Sequence, residues 1–164
     1  MELAVFNDAT PNEAHTAIAH CVAIPDWQQA LVAARPFADV EALYTTAETL
    51  AKRWQGAELE QALRAHPRIG EKAAGAGKEA VLSRNEQSAM QQADGALQFA
   101  MLAGNQSYEK RFNRVFLIRA KGRSGEEMLA ELQRRLNNDA ETEQQEALTQ
   151  LREITLLRLK ESIV

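Results

Sequence analysis

The sequence predicts an all-α fold: a single-domain bundle of about eight helices over residues 1–164, with one short extended segment near 114–120. Three observations predict it. Apolar residues recur with a period near 3.6 along most of the chain, and regularly spaced runs of β-forming residues are missing. Helix-start signals are frequent, with Ser, Thr or Asp just ahead of amphipathic stretches and Glu often three residues later. The composition, 45% hydrophobic and 26% charged over 164 residues, suits one sizeable core and not a disordered chain.

The elements follow in order. Thr10-Pro11-Asn12-Glu13 joins a cap, a proline at the first helical position and a capping-box carboxylate, and predicts a helix to about Cys21 that stops before Pro25. Asp26 is the expected cap of a short helix through Ala34, closed by Pro36. Asp39 caps a longer one to about Trp54. Gly56 breaks the chain, and Ala57–Ala65 forms another short helix that ends at His66. Gly70, Gly75 and Gly77 then predict a flexible loop. It lacks the G-x-x-x-x-G-K-[ST] pattern of a phosphate-binding loop, because no glycine stands five residues before Gly77 and Glu79 follows Lys78.

Ser83-Arg84-Asn85-Glu86 is a second capping box, expected to open a helix that reaches Leu102 and ends at Gly104. After a helical turn around Ser107–Phe112, "RVFLIRA" at Arg114–Ala120 reads as extended. Ser124-Gly125-Glu126-Glu127 is a third capping box, opening a helix to about Asn137. Asp139 begins a terminal helix that runs to roughly Ile163.

Bulk properties narrow the function classes. A formal net charge of −4 argues against nucleic acid or a membrane surface as the main partner, while leaving room for a small anion in a locally positive pocket. No apolar run approaches the roughly 18 residues that span a bilayer. The opening "MELAVFNDAT" has neither the basic start nor the apolar stretch of a secretory signal. A single cysteine, Cys21, forms no internal disulfide, so a reducing cytoplasm is expected. His15 and His20 are five residues apart, about 140° around a helix, and do not share a face for one metal. No metal site is predicted.

Four residues carry the chemical interest. His66 precedes Pro67, and proline drives its predecessor out of helical angles. The ring is therefore expected outside the helix, where an imidazole that titrates near neutrality suits proton transfer. The competing role is a partly cationic cap on helix C-terminal carbonyls. Glu86 fills the third position of a capping box, a structural role; yet a helix N-terminus is also a seat for an anionic ligand. Gln87 beside it can both donate and accept. Arg158 shares a helix face with Leu151 and Ile154, an apolar face that points inward. A guanidinium there needs an anion, supplied either by a protein carboxylate or by a ligand.

Taken together, Phe6-Asn7, Cys21, Trp27, Arg35-Pro36-Phe37, "AHPRIG" at Ala65–Gly70, Ser83 with Glu86-Gln87, "YEKRFNRVFLIRAKGRSGEEMLAELQRRLNND" at Tyr108–Asp139 and Arg158-Leu159 stand in an order that resembles the OHCU decarboxylase family of purine degradation. OHCU is 2-oxo-4-hydroxy-4-carboxy-5-ureidoimidazoline. Each motif alone is weak, and the ordered set, covering nearly the whole chain, is specific. Two positions depart from the family pattern. Asn113 stands where a glycine is usual, and asparagine tolerates the left-handed angles such a turn requires. Arg119 replaces a smaller or uncharged residue.

The resemblance implies an all-α, cofactor-free decarboxylase, usually a homodimer, that takes an anionic ureidoimidazoline to (S)-allantoin and CO2. It implies His66 as the catalytic acid/base, with Glu86 sharing the proton chemistry. Pro67, Ser83, Glu86, Gln87, Phe116, Leu117, Ile118, Arg119, Ala120 and Arg158 would line the substrate site. Two rival readings predict other outcomes. A helical interaction module would give Arg158 ordinary salt-bridge partners, and an enzyme acting on 5-hydroxyisourate would need a water-activating constellation that the sequence lacks.

Overall fold

A computed structural model of the chain describes residues 1–66, 68–69, 86–91 and 93–164. The glycine loop at Gly70–Gly77, the cap residues Ser83–Asn85 and the nominated Pro67 and Ser83 lie outside the described residues. Among the described residues there are nine helices and no strand. They are α1 Leu3–Asp8, α2 Pro11–Ile18, α3 Pro25–Ala33, α4 Val40–Ala51, α5 Gly56–Leu63, α6 Ser88–Gln91, α7 Gly95–Phe112, α8 Gly125–Arg135 and α9 Ala140–Ser162. The all-α expectation holds. No helix among the described residues is long and apolar enough to cross a membrane.

The contacts divide the chain into two compact units, Met1–Ala62 with Arg152–Val164 and Leu63–Leu151. In the first unit, helices consecutive from α1 to α4 pack in sequence. Two of its caps follow the reading. Thr10 Oγ1 accepts the Glu13 amide at 3.2 Å, and Asp39 accepts the Ala42 amide at 2.8 Å, each cap contributing about 1 kcal/mol. Phe6, Ile18, Trp27, Leu31 and Leu43 are fully or almost fully buried. Trp27 packs edge-on to Trp54 and donates its indole N–H to the Ala47 carbonyl at 3.1 Å. Asn7 pairs in both directions with the backbone of Phe37, while Arg35 donates to the carbonyls of Phe6, Ala9 and Val32. The N-terminal motif residues of the family pattern therefore hold backbone to backbone.

In the first unit one cap differs from the expectation. Asp26 does not cap α3: Ile24 is the cap residue, Pro25 occupies the first turn, and Asp26 lies one position further in. The proline needs no amide partner there, so the helix starts a residue or two earlier than an Asp cap would set it.

In the second unit α7 packs on α8. The expected helix to Leu102 is instead two helices. Asp94 accepts the Leu97 amide at 2.8 Å and starts α7 afresh, while the Gln98 side chain takes the carbonyls of Met90 and Ala93 where α6 ends. Nor does Gly104 end a helix; it lies inside α7. A Cβ there would come within 2.5 Å of Leu132 Cδ2, so the missing side chain is what lets α8 approach. The Ser107–Phe112 turn is the last part of the same helix. Asn113 follows at φ 57 and ψ 35, in the left-handed region, as expected of an asparagine in a glycine's place. Residues 115–120 are neither helix nor strand, and Ser124 then caps α8 through the Glu127 amide at 3.1 Å.

Candidate active site

His66 lies past the end of α5, its amide bonded to the Leu63 carbonyl at 3.2 Å. The helix stops at Leu63, a turn follows, and the half-buried imidazole stands outside regular structure, as the following proline requires. Its Nε2 is buried from solvent. Glu86 and Gln87 come immediately before α6, Glu86 half-buried and Gln87 buried. Phe116, Leu117, Ile118 and Ala120 are all buried, whereas Arg119 is half-exposed.

What unites these stretches is hydrophobic. One buried cluster contains Ile69, Met90, Met101, Tyr108, Phe116, Ile118, Ala120, Met128 and Leu132. Ile69 is three residues from His66, and Met90 is three from Gln87. The turn with the histidine, the entry to α6 and the 116–120 segment are thus anchored in a common core of the second unit. Burying each of the Ile, Met, Leu and Phe side chains contributes about 1.5–3 kcal/mol, which fixes the anchors far more firmly than a surface loop would.

Polar contacts set the backbone of 116–120. Arg135 is buried, lies 4.5 Å from the centre of the Phe116 ring and donates from Nη1 to the Leu117 carbonyl at 2.8 Å. Its Nε donates to both oxygens of the buried Glu143, at 3.0 and 3.1 Å. Glu143 also accepts a short hydrogen bond from the Tyr108 hydroxyl. Burial, and then that bond to a carboxylate, push the Tyr108 phenol above its ordinary value. On the other side, the Arg119 amide donates to Gln150 Oε1 at 2.8 Å. Among the described residues, the amide and carbonyl of Ile118 make no hydrogen bond.

Sequence reasoning missed Arg135 and Glu143, although the signal was present. Arg135 follows Met128 and Leu132 at spacings of seven and three, and Glu143 precedes Ala147 and Leu151 by four and eight. Charged residues on buried helix faces are the anomaly already noticed at Arg158. It also missed Asn105, whose Nδ2 donates to the Ile69 carbonyl at 2.7 Å, and Glu109, which takes the Arg68 guanidinium through both oxygens at 2.8 and 2.9 Å.

Arg158 belongs to the first unit. It is 1% exposed, as its helix face predicted, and donates to the His20 carbonyl at 3.2 Å. His20 itself bonds Ser162 Oγ at 2.6 Å, and His15 bonds Gln28 at 2.8 Å. The two histidines thus face different partners, and among the described residues no group of His, Cys, Asp and Glu gathers for a metal ion. A cavity of about 680 Å³ in this unit is lined by Pro11, Asn12, His15, Gln29, Val32, Ala33 and Arg35. It holds none of the nominated residues.

Comparison with known proteins bears on the family and the fold. A family model described as OHCU decarboxylase matches residues 7–160. Among solved structures, the chain is similar to an OHCU decarboxylase crystallised in the presence of (S)-allantoin, with a TM-score of 0.73 and 25% identity over 87% of this chain and 94% of that one. An (S)-allantoin synthase shares the fold, with a TM-score of 0.73 and 16% identity over 99% of this chain. The match spans only 54% of that longer protein. Among curated proteins no match was found.

Proposed function

The chain belongs to the OHCU decarboxylase family and is a carboxy-lyase, and on that premise we propose that it decarboxylates 2-oxo-4-hydroxy-4-carboxy-5-ureidoimidazoline to (S)-allantoin and CO2. The observation that carries this reading is the common buried cluster beneath His66, Glu86-Gln87 and Phe116–Ala120. It anchors a proton carrier, an acid with an amide, and the backbone at Ile118 in one unit.

The chemistry asks little of a cofactor. When the bond from the ring to the carboxylate breaks, CO2 departs, the electron pair forms a ring C=C as the adjacent C=N of the imidazoline opens, and that nitrogen takes up a proton; the resulting enol then gives up its hydroxyl proton. One proton must then reach the ring carbon that bears the ureido group, on one face only. The protein's tasks are to hold the carboxylate plane perpendicular to the ring, exclude water and deliver that proton. In this reading His66 takes the hydroxyl proton and serves the stereospecific protonation. Glu86 and Gln87 orient the ring nitrogens and hydroxyl. The backbone at Ile118, together with Pro67 and Ser83, receives the ureido portion, and Arg158 receives the carboxylate.

The test follows OHCU, generated in situ from urate, by circular dichroism. The proposal expects faster appearance of one allantoin enantiomer. A positioned acid/base contributes about 10²–10⁴ in rate, so His66→Ala should lose that factor while keeping its helical spectrum. Arg158→Lys keeps the charge and loses the planar fork, and should raise KM more than it lowers kcat. Near-normal turnover by His66→Ala would remove the histidine from the mechanism. The reading extends to a homodimer in a reducing cytoplasm. It is supported by the family resemblance, by exposed Phe99 and Leu102 one turn apart on α7, and by a buried lone thiol at Cys21. Light scattering on Phe99→Glu, expected to shift mass towards the monomer, checks the dimer.

A further inference from the structure

We propose that Asn105, seconded by Glu109, is a positioning residue for the His66 turn, acting on the proton-handling imidazole through the backbone at Arg68 and Ile69. The inference rests on the reading of His66 given above and adds residues that the reading does not use. Asn105 and Glu109 are one helical turn apart on α7 and share a face. They hold consecutive residues of the distant turn: Asn105 Nδ2 donates to the Ile69 carbonyl at 2.7 Å, and Glu109 takes the Arg68 guanidinium through both oxygens. Ile69 is three residues past His66, within about 10 Å of chain. Helix α7 thus holds two consecutive residues on this side of the turn by side-chain hydrogen bonds.

Asn105 is 2% exposed, and its Oδ1 is buried without a partner among the described residues. Only the amide nitrogen can donate to a carbonyl, so the Ile69 contact settles which way the side chain faces and leaves the oxygen on the other side. The donor it aims at Ile69 sets the position of the turn. Since Ile69 is also part of the buried cluster with Met90 and Ile118, a slip at this carbonyl would move the histidine relative to both other stretches.

The experiment compares Asn105→Leu and Glu109→Gln with the parent in two readouts: kcat and KM for OHCU generated in situ, and the imidazole resonances of the chain's three histidines through a pH titration. The expected result is a fall in kcat of at least tenfold for Asn105→Leu and about threefold for Glu109→Gln, with KM within twofold. The His66 resonances should move while those of His15 and His20 stay in place. Unchanged His66 resonances with unchanged kcat overturn the proposal, whatever happens to the melting temperature. Should Asn105→Leu fail to fold, Glu109→Gln decides alone, because it alters a partly exposed ion pair. A parent that does not turn over OHCU refutes the functional reading, and the resonances then decide the positioning by themselves.

Discussion

At the scale of single residues the buried charges are the most informative. Arg135 and Glu143 are 1% and 0% exposed, and each satisfies the other while Arg135 also holds Leu117 and faces Phe116. Removing one partner strands the other. Arg135→Met should therefore cost about 3–5 kcal/mol, read as a lower urea midpoint, whereas the paired Arg135→Met, Glu143→Leu should recover much of that loss. A double variant no more stable than the single would show that the Leu117 contact, not the ion pair, dominates. Tyr108 gives a second test. Its folded value lies above the ordinary 10, so its contribution is complete below that pH and is lost as pH rises toward the higher folded value. Stability should thus fall with pH above 10 more steeply in the parent than in Tyr108→Phe, measured by urea titration at several alkaline pH values. Parallel curves would mean that the phenol does not govern the alkaline limb.

At the scale of elements, the crossing of α7 on α8 depends on Gly104 facing Leu132. Gly104→Ala gains helix propensity of about 1 kcal/mol but crowds a side chain that is fully buried, and overpacking costs about 1–3 kcal/mol. Alone it should destabilise; in a Leu132→Ala background, itself costing about 2–5 kcal/mol, the added methyl should be neutral or stabilising. Equal effects in both backgrounds would show that the two positions do not touch. Two carboxylates at the α8–α9 junction respond to acid. Hydrogen bonds from Arg134 hold Glu146 below its ordinary range, and the Thr142 backbone does the same for Asp139. Their stabilisation is present above ordinary carboxylate values and fades as pH falls through the lower folded ones. Caps made the elements readable in the sequence: Thr10, Asp39, Ser124 and Asp139 each mark a helix start because an orphan amide needs a local acceptor. Gly104 misled because glycine signals a stop only when nothing packs against it, and the packing partner is far away in sequence. The site was half legible for the same reason. His66 before Pro67 is a local signal, whereas Asn105 on Ile69 is visible only once α7 is in place.

At the scale of the whole molecule, the question is whether the two units unfold together. The chain passes between them at Ala62–Leu63, within α5, and at Leu151–Arg152, within α9. Independent domains are ordinarily joined by exposed, flexible linkers. Here both connections are helical, and neither helix can be cut at its crossing without leaving backbone groups unpaired. The single-domain expectation therefore becomes a prediction of one cooperative transition. The probes are built in, since both tryptophans, Trp27 and Trp54, belong to the first unit while Tyr108 and the whole of α7 and α8 belong to the second. Tryptophan fluorescence and far-ultraviolet circular dichroism should give coincident urea midpoints. (S)-Allantoin or a substrate analogue at about 100 times its Kd should move both probes together, by about 2.7 kcal/mol or roughly 5–10 °C in Tm for a chain of this size. Fluorescence and dichroism curves that separate would mean that the units melt in turn. A ligand that shifts only the dichroism would confine its binding to the second unit and remove Arg158 from the substrate's reach.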